Sequence, residues 1–145
     1  MTMRHLLDVN VLIALMDSDH AFHARAHAWW AERARPWASC PLTENGLLRI
    51  MTAPTYSRRT RFGLADLAAR LGYFVSATDH AFWPDSLSLR DMGVFSFAPI
   101  ISSKHLTDLY LLALAAANQA QLVTFDQHIP SAAVLTAMPA HLLVI

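Results

Sequence analysis

Short apolar runs alternate with longer stretches whose apolar residues recur at helical spacing, and this alternation restricts the fold more than any other feature of the chain. Residues 4–8 read as a short buried strand that runs into a helix over 9–16 (VNVLIALM). Asp17-Ser18-Asp19 breaks that helix, and an Ala-rich helix carrying Trp29 and Trp30 is expected from His20 to Arg35, stopped by Pro36. A second strand is expected at 37–41 (WASCP). Thr43-Glu44-Asn45 then opens a helix, Gly46 to Met51, with Pro54 beyond its end. Residues 55–61 read as a polar, basic loop, 63–73 (GLADLAARLGY) as a helix, and 81–101, with Pro84, Gly93 and Pro99, as irregular. A long apolar helix from His105 to Gln119 leads to a strand at 122–126 (LVTFD), and a last strand is expected at 141–145 (HLLVI). Strands alternating with helices predict an α/β fold with a mostly parallel sheet.

The chain has 145 residues, 54% of them hydrophobic, which is enough to build the core of one domain over 1–145. No internal repeat, low-complexity segment or domain-scale linker interrupts it. No apolar run approaches the roughly 20 residues of a membrane span. Asp8, Asn10 and Asp17 break up the start of the chain, which therefore does not read as a secretory leader. A single cysteine, Cys40, permits no internal disulfide and fits a reducing cytoplasm. Eleven basic and eleven acidic residues give a formal net charge of zero, so a general polycationic coat for nucleic acid is absent. Local basic clusters remain at Arg33 and Arg35, and at Arg58, Arg59 and Arg61.

Several acids stand inside apolar text. Asp8 ends the first strand and Asp126 ends the strand at 122–125. Asp108 lies in the first turn of the long helix, and Glu44 lies at the start of the helix after the second strand. In open α/β sheets, ligands bind outside the carboxyl ends of the strands, which is where all four acids are expected. Each has a structural explanation of its own: Asp8 as a helix N-cap, Asp126 as a turn residue, and Glu44 and Asp108 as partners of helix dipoles. Taken together they suggest a cation site, because clustered carboxylates repel one another and a divalent ion removes that repulsion. With no cysteine or paired histidine nearby, the hard oxygen donors point to Mg²⁺ or Mn²⁺ rather than zinc. Two such ions about 3.5–4 Å apart can hold the attacking and leaving oxygens of a phosphoryl displacement.

The segments LLDVNVLIAL, LTENGLLRIM, HLTDLYLLALA and LVTFD, in that order and spacing, resemble the PIN-domain ribonucleases, and most closely the VapC toxins of bacterial type II (VapBC) toxin–antitoxin modules. HAFHARAHAWWAE and FWPDSLSL carry the same likeness, which covers nearly the whole chain. The resemblance implies an α/β/α sandwich and Mg²⁺- or Mn²⁺-dependent endonucleolytic cleavage of RNA. It also implies a cognate VapB-like antitoxin and a second copy of the chain as partners. The family's acids carry over onto Asp8, Glu44, Asp108 and Asp126, its polar residue after the first acid onto Asn10, and its small hydroxyl before the last acid onto Thr124. On this reading Asp8 leaves the core at the strand tip as the central metal ligand, Asp108 and Asp126 are further ligands, and Glu44 ligates or orients the attacking water.

Other features allow two readings each. His20, His23 and His27 share one helix face, as a surface face or a zinc site. Trp29, Trp30, Trp37 and Trp83 suit a core or a partner contact. The apolar helix over 106–117 is a buried helix and, with the first helix, a candidate dimer contact. Arg58, Arg59 and Arg61 suit a solvated loop or RNA phosphates, and Lys104 and His105, close to Asp108 in the sequence, are the better candidates for touching RNA near the site. Two other functions compete. A haloacid-dehalogenase-like phosphatase would need a second Asp where Asn10 stands. A non-catalytic binding protein of the same fold would leave the acids idle.

Overall fold

The computed structural model describes residues 3–32, 35–98 and 101–145; Arg33 and Pro99 lie outside the described residues. Five short strands form one all-parallel sheet in the order β3-β2-β1-β4-β5: β1 (His5–Leu7), β2 (Trp37–Ser39), β3 (His80–Phe82), β4 (Gln121–Thr124) and β5 (Leu142–Val144). Among the described residues five α-helices connect them: α1 (Val9–Met16), α2 (His23–Ala31), α3 (Pro41–Met51), α4 (Leu64–Ala77) and α5 (Leu106–Ala117). The chain is an α/β sandwich, as its alternating pattern predicts.

Successive strand residues face opposite sides of a sheet, so neighbouring apolar residues feed two cores. Leu7, Trp37 and Val123 join the core with α1 and with Leu47, Met51, Leu67 and Leu71 of α3 and α4. Leu6, Ala38 and Leu122 join the other with the leucines of α5 and with Phe95 and Val134. Because both faces are covered, β1 and β4 read as continuous apolar runs rather than alternating ones.

Several boundaries differ from the sequence expectation. Helix α2 covers His23–Ala31 where 20–35 was expected: His20–Phe22 lie in turns before it and Phe22 supplies no side-chain cap, while residues 33–34 of the expected span lie outside the described residues. Helix α3 begins at Pro41, five residues before Gly46. Proline is preorganised for the first helical position, and the Cys40 N–H donates to Thr43 Oγ1 at 3.0 Å to close the turn. His80–Phe82 forms an edge strand where irregular chain was expected from residue 81; its β-pairing to Trp37–Ser39 is a long-range event. Helix α5 begins at Leu106 after a 3₁₀ turn, Ser103–His105, and ends at Ala117. Trp29 and Trp37 are buried, while Trp30 and Trp83 are half-buried against the two cores.

A carboxylate cleft at the strand switch point

β1 and β4 are neighbours in the sheet although their connections leave in opposite directions, which makes their carboxyl ends the switch point where α/β sheets form a crevice. Leu7 pairs with Val123, and the Asp8 N–H continues the ladder to the Val123 carbonyl at 2.9 Å. This register sets Asp8 beside Thr124. Thr124 Oγ1 donates to Asp8 Oδ2 at 2.7 Å, and the Val9 N–H donates to Asp8 Oδ1 at 2.7 Å. Asp8 is thus also the N-cap of α1, so its structural and its site reading hold together. The expectation that Asp8 escapes burial is corrected: it is only 4% exposed, walled in by the strand beside it and the helix it caps.

Asp8, Asp108 and Asp126 line one cleft of about 330 Å³ together with Asn10. A larger groove of about 570 Å³ runs along Leu112, Leu135 and Met138 and contains no titratable side chain. Burial raises the Asp8 carboxyl above its ordinary value, and Asp126 raises it further against the donors from Thr124 and Val9. Asp108 is pushed up to about 7, first by burial, then by the charges of Asp8 and Asp126. Asp126 is held by the turn after β4: its N–H donates to Thr124 Oγ1 at 3.1 Å, and its Oδ1 accepts from the His128 N–H at 2.8 Å.

Glu44 departs from this group. It lies in the first turn of α3, next to Asn45 and Gly46, which do line the cleft. Glu44 itself is outside that lining: its Oε2 accepts from Ser39 Oγ at 2.6 Å, and Ser39 Oγ lies 2.8 Å from His80 Nε2. The structure therefore brings three of the four acids together and ties the fourth to the edge of the sheet.

The basic residues are redistributed as well. Arg58, Arg59 and Arg61 are exposed on the loop between α3 and α4, and Lys104 is exposed in the 3₁₀ turn before α5; none of them lines the cleft. Arg61 is turned back on its own loop, donating to the Pro54 carbonyl. The cleft has its cation in Arg49, with Asn45 and Thr107 as further polar lining. These three were missed by sequence reasoning. The available signal was helical spacing: Asn45 and Arg49 lie four apart on one face of α3. Of the three histidines expected on one helix face, His20 lies before α2, where its Nδ1 accepts from the Phe22 N–H, and His23 and His27 each place a ring nitrogen on a carbonyl near the end of α1, that of Ala14 and of Leu15 respectively.

The PIN domain family profile matches residues 5–135. The chain belongs to the PIN-domain family. Ribonuclease VapC44 of Mycobacterium tuberculosis is 44% identical over 142 residues, which cover 97% of this chain and 98% of the relative. Ribonuclease VapC38 of the same organism is 39% identical over 122 residues, 83% of this chain and 84% of the relative. Ribonuclease VapC39 is 38% identical over 128 residues, 86% and 89% of the two chains. A chain of the crystal structure of VapBC2 from Rickettsia felis, bound to a DNA fragment from their promoter, superposes with a TM-score of 0.51 at 16% identity, over 89% of this chain and 95% of that one; the likeness is one of fold.

The cleft of this PIN domain offers hard oxygen donors: three carboxylates and the Asn10 carboxamide, whose Oδ1 is buried without a hydrogen-bond partner among the described residues. That orphaned oxygen and the mutual repulsion of the aspartates are both relieved by a divalent cation, and the donor chemistry fits Mg²⁺ or Mn²⁺. Although the three aspartates line one cleft, among the described residues no three His, Cys, Asp or Glu side chains stand close enough to form a ready-made cage. Mg²⁺ needs none, since it commonly takes one or two carboxylates and completes its shell with water and phosphate oxygens. Among the described residues no helix is long and apolar enough to cross a membrane.

Proposed function

We propose that this PIN domain is the toxin of a type II toxin–antitoxin pair, a Mg²⁺- or Mn²⁺-dependent endoribonuclease acting at the cleft between β1 and β4. The observation that carries the reading is that Asp8, Asp108 and Asp126 line one cleft, with Asp108 pushed up to about 7 by burial and by the charges of the other two. The VapC ribonucleases at 44%, 39% and 38% identity support it.

Asp8, Asp108 and Asp126 would hold the metal, with Asn10 as a neutral oxygen beside them. A bound divalent ion supplies charge neutralisation for the phosphoryl group and lowers the pKa of water. The protein's own side chains do the rest. Thr124 and the N-terminus of α1 fix Asp8 and keep it a double acceptor. Arg49 brings a planar donor fork to the RNA phosphate, which the acids alone would repel. Glu44 does not itself line the cleft, but it is next to Asn45, which does, and would orient the attacking water through the carboxylate oxygen that Ser39 leaves unbound. A VapB-like antitoxin is the proposed partner, RNA the substrate, a second copy of the chain the oligomeric partner, and the cytoplasm the compartment.

The test is cleavage of total cellular RNA by the purified protein with Mn²⁺, with Mg²⁺ and with chelator, beside Asp8→Asn prepared identically. Metal-dependent fragments that vanish in the variant, with its thermal midpoint unchanged or raised, support the reading. Equal cutting by both proteins contradicts it. A folded wild type that neither cuts nor binds Mn²⁺ would instead make the chain a non-catalytic binding protein.

A further inference from the structure

Ser39 is fully buried at the end of β2 and has one proton to give. Two groups lie within hydrogen-bond distance of its oxygen: Glu44 Oε2 at 2.6 Å and His80 Nε2 at 2.8 Å. An ionised carboxylate only accepts, so the Ser39 proton goes to Glu44. His80 Nε2 must then carry its own proton and donate it to Ser39 Oγ. The arrangement is a one-way chain, His80 Nε2–H to Ser39 Oγ–H to Glu44 Oε2. Burial lowers the His80 pKa, opposed by Glu44 and helped by Arg4. The ring is set by packing on Trp37, with centroids 4.5 Å apart, and by the pairing of Trp37–Ser39 with His80–Phe82. Glu44 Oε1 accepts no hydrogen bond among the described residues, so one oxygen is held and the other is left for chemistry.

We propose that Ser39 and His80 are positioning residues for Glu44: the directed chain from the edge strand fixes the carboxylate's orientation and leaves Oε1 as its working oxygen. Its effect on rate rests on the ribonuclease reading above. Neither residue lines the aspartate cleft, so their loss is expected to act on turnover and not on substrate binding. Partners that orient an active-site ligand from behind commonly contribute about 10–100-fold to activity.

The experiment compares wild type, Ser39→Ala, His80→Phe and His80→Gln. Phenylalanine keeps a ring on Trp37 but has no N–H, while glutamine restores a donor at the Nε2 position. Single-turnover cleavage is measured with Mn²⁺, RNA affinity is measured in chelator, and the His80 Hε2 resonance is followed by NMR. Cleavage slowed about 10–100-fold in Ser39→Ala and His80→Phe, unchanged RNA affinity, and recovery in His80→Gln are expected. The Hε2 resonance should be resolved in wild type and lost to solvent exchange in Ser39→Ala. Cleavage at the wild-type rate in His80→Phe, or a glutamine variant as slow as the phenylalanine one, overturns the proposal while leaving the ribonuclease reading intact. A wild type that shows the Hε2 resonance but cuts no RNA overturns that reading and the role in catalysis with it. Should Ser39→Ala fail to fold, the two His80 variants decide, because that residue is half-buried on an edge strand.

Discussion

Thr124 Oγ1 donates to Asp8 Oδ2 at 2.7 Å, and the same oxygen accepts from the Asp126 N–H at 3.1 Å. One hydroxyl thus joins two of the three cleft aspartates, across a sequence separation of 116 residues for Asp8. Replacing Thr124 by Val removes both contacts while keeping the shape. The buried carboxylate loses a donor, at a cost of about 1–3 kcal/mol, and its pKa climbs further. Denaturant unfolding should show that loss together with reduced cleavage, and Thr124→Ser should recover most of both. A Val variant as stable and active as wild type would remove the hydroxyl from the account.

Asp108 predicts how the metal-free protein responds to pH. Its folded pKa of about 7 lies above its ordinary 3.8, so between those values the folded state holds a proton that the unfolded state has released. Stability from this group is full below about pH 4 and is lost as pH rises through about 7. Thermal midpoints in chelator should therefore fall over that range, and Asp108→Asn should flatten the fall. Mn²⁺ binding must expel the same proton, so its affinity should rise with pH through about 7 in wild type. A flat midpoint profile in wild type would show that Asp108 titrates normally.

Arg49 is the cation of the cleft, whereas Arg58, Arg59 and Arg61 stand on an exposed loop outside it. Arg49→Ala should weaken RNA binding uniformly across sequences and reduce the salt slope of binding by about 1. Binding titrations at several salt concentrations read this directly. If neutralising the three loop arginines lowers the slope and Arg49→Ala does not, the RNA path runs over the loop.

Gly46 lets α3 press against α1. A Cβ at residue 46 would stand 2.7 Å from Val9 Cγ2, closer than real methyl contacts come. Gly46→Ala should destabilise by about 1–3 kcal/mol through overpacking, and Val9→Ala in the same chain should relieve part of it. Chemical denaturation of the single and double variants measures the coupling. Additive effects would mean the helices separate freely at this point.

Much of the fold is legible because its signals are local. The helix over 9–16 follows from the Asp8 cap and eight residues of nearly unbroken apolar text, and it is observed at Val9–Met16. Strands β1 and β4 follow from short apolar runs that end in an acid. Helix α2 starts at His23 rather than His20 because Ala-rich text favours helix on propensity alone, whereas the His20 side chain holds the Phe22 N–H in a turn. Strand β3 has no local signal, because its three residues become a strand by pairing with Trp37–Ser39, some forty positions earlier.

The sequence by itself determined the alternation of strand and helix, the parallel sheet, and the placement of acids at strand ends and helix starts, since each of these is written in residues a few positions apart. Only the tertiary structure decided which of those acids meet. The strand order β3-β2-β1-β4-β5 sets β1 beside β4, so Asp8, Asp108 and Asp126 share a cleft with Arg49. The same order sets β2 beside β3, so Glu44 turns to Ser39 and His80. Side-chain periodicity reports burial along one segment; it carries no information about which distant segment supplies the neighbour, and the chemistry of a cleft is made of neighbours.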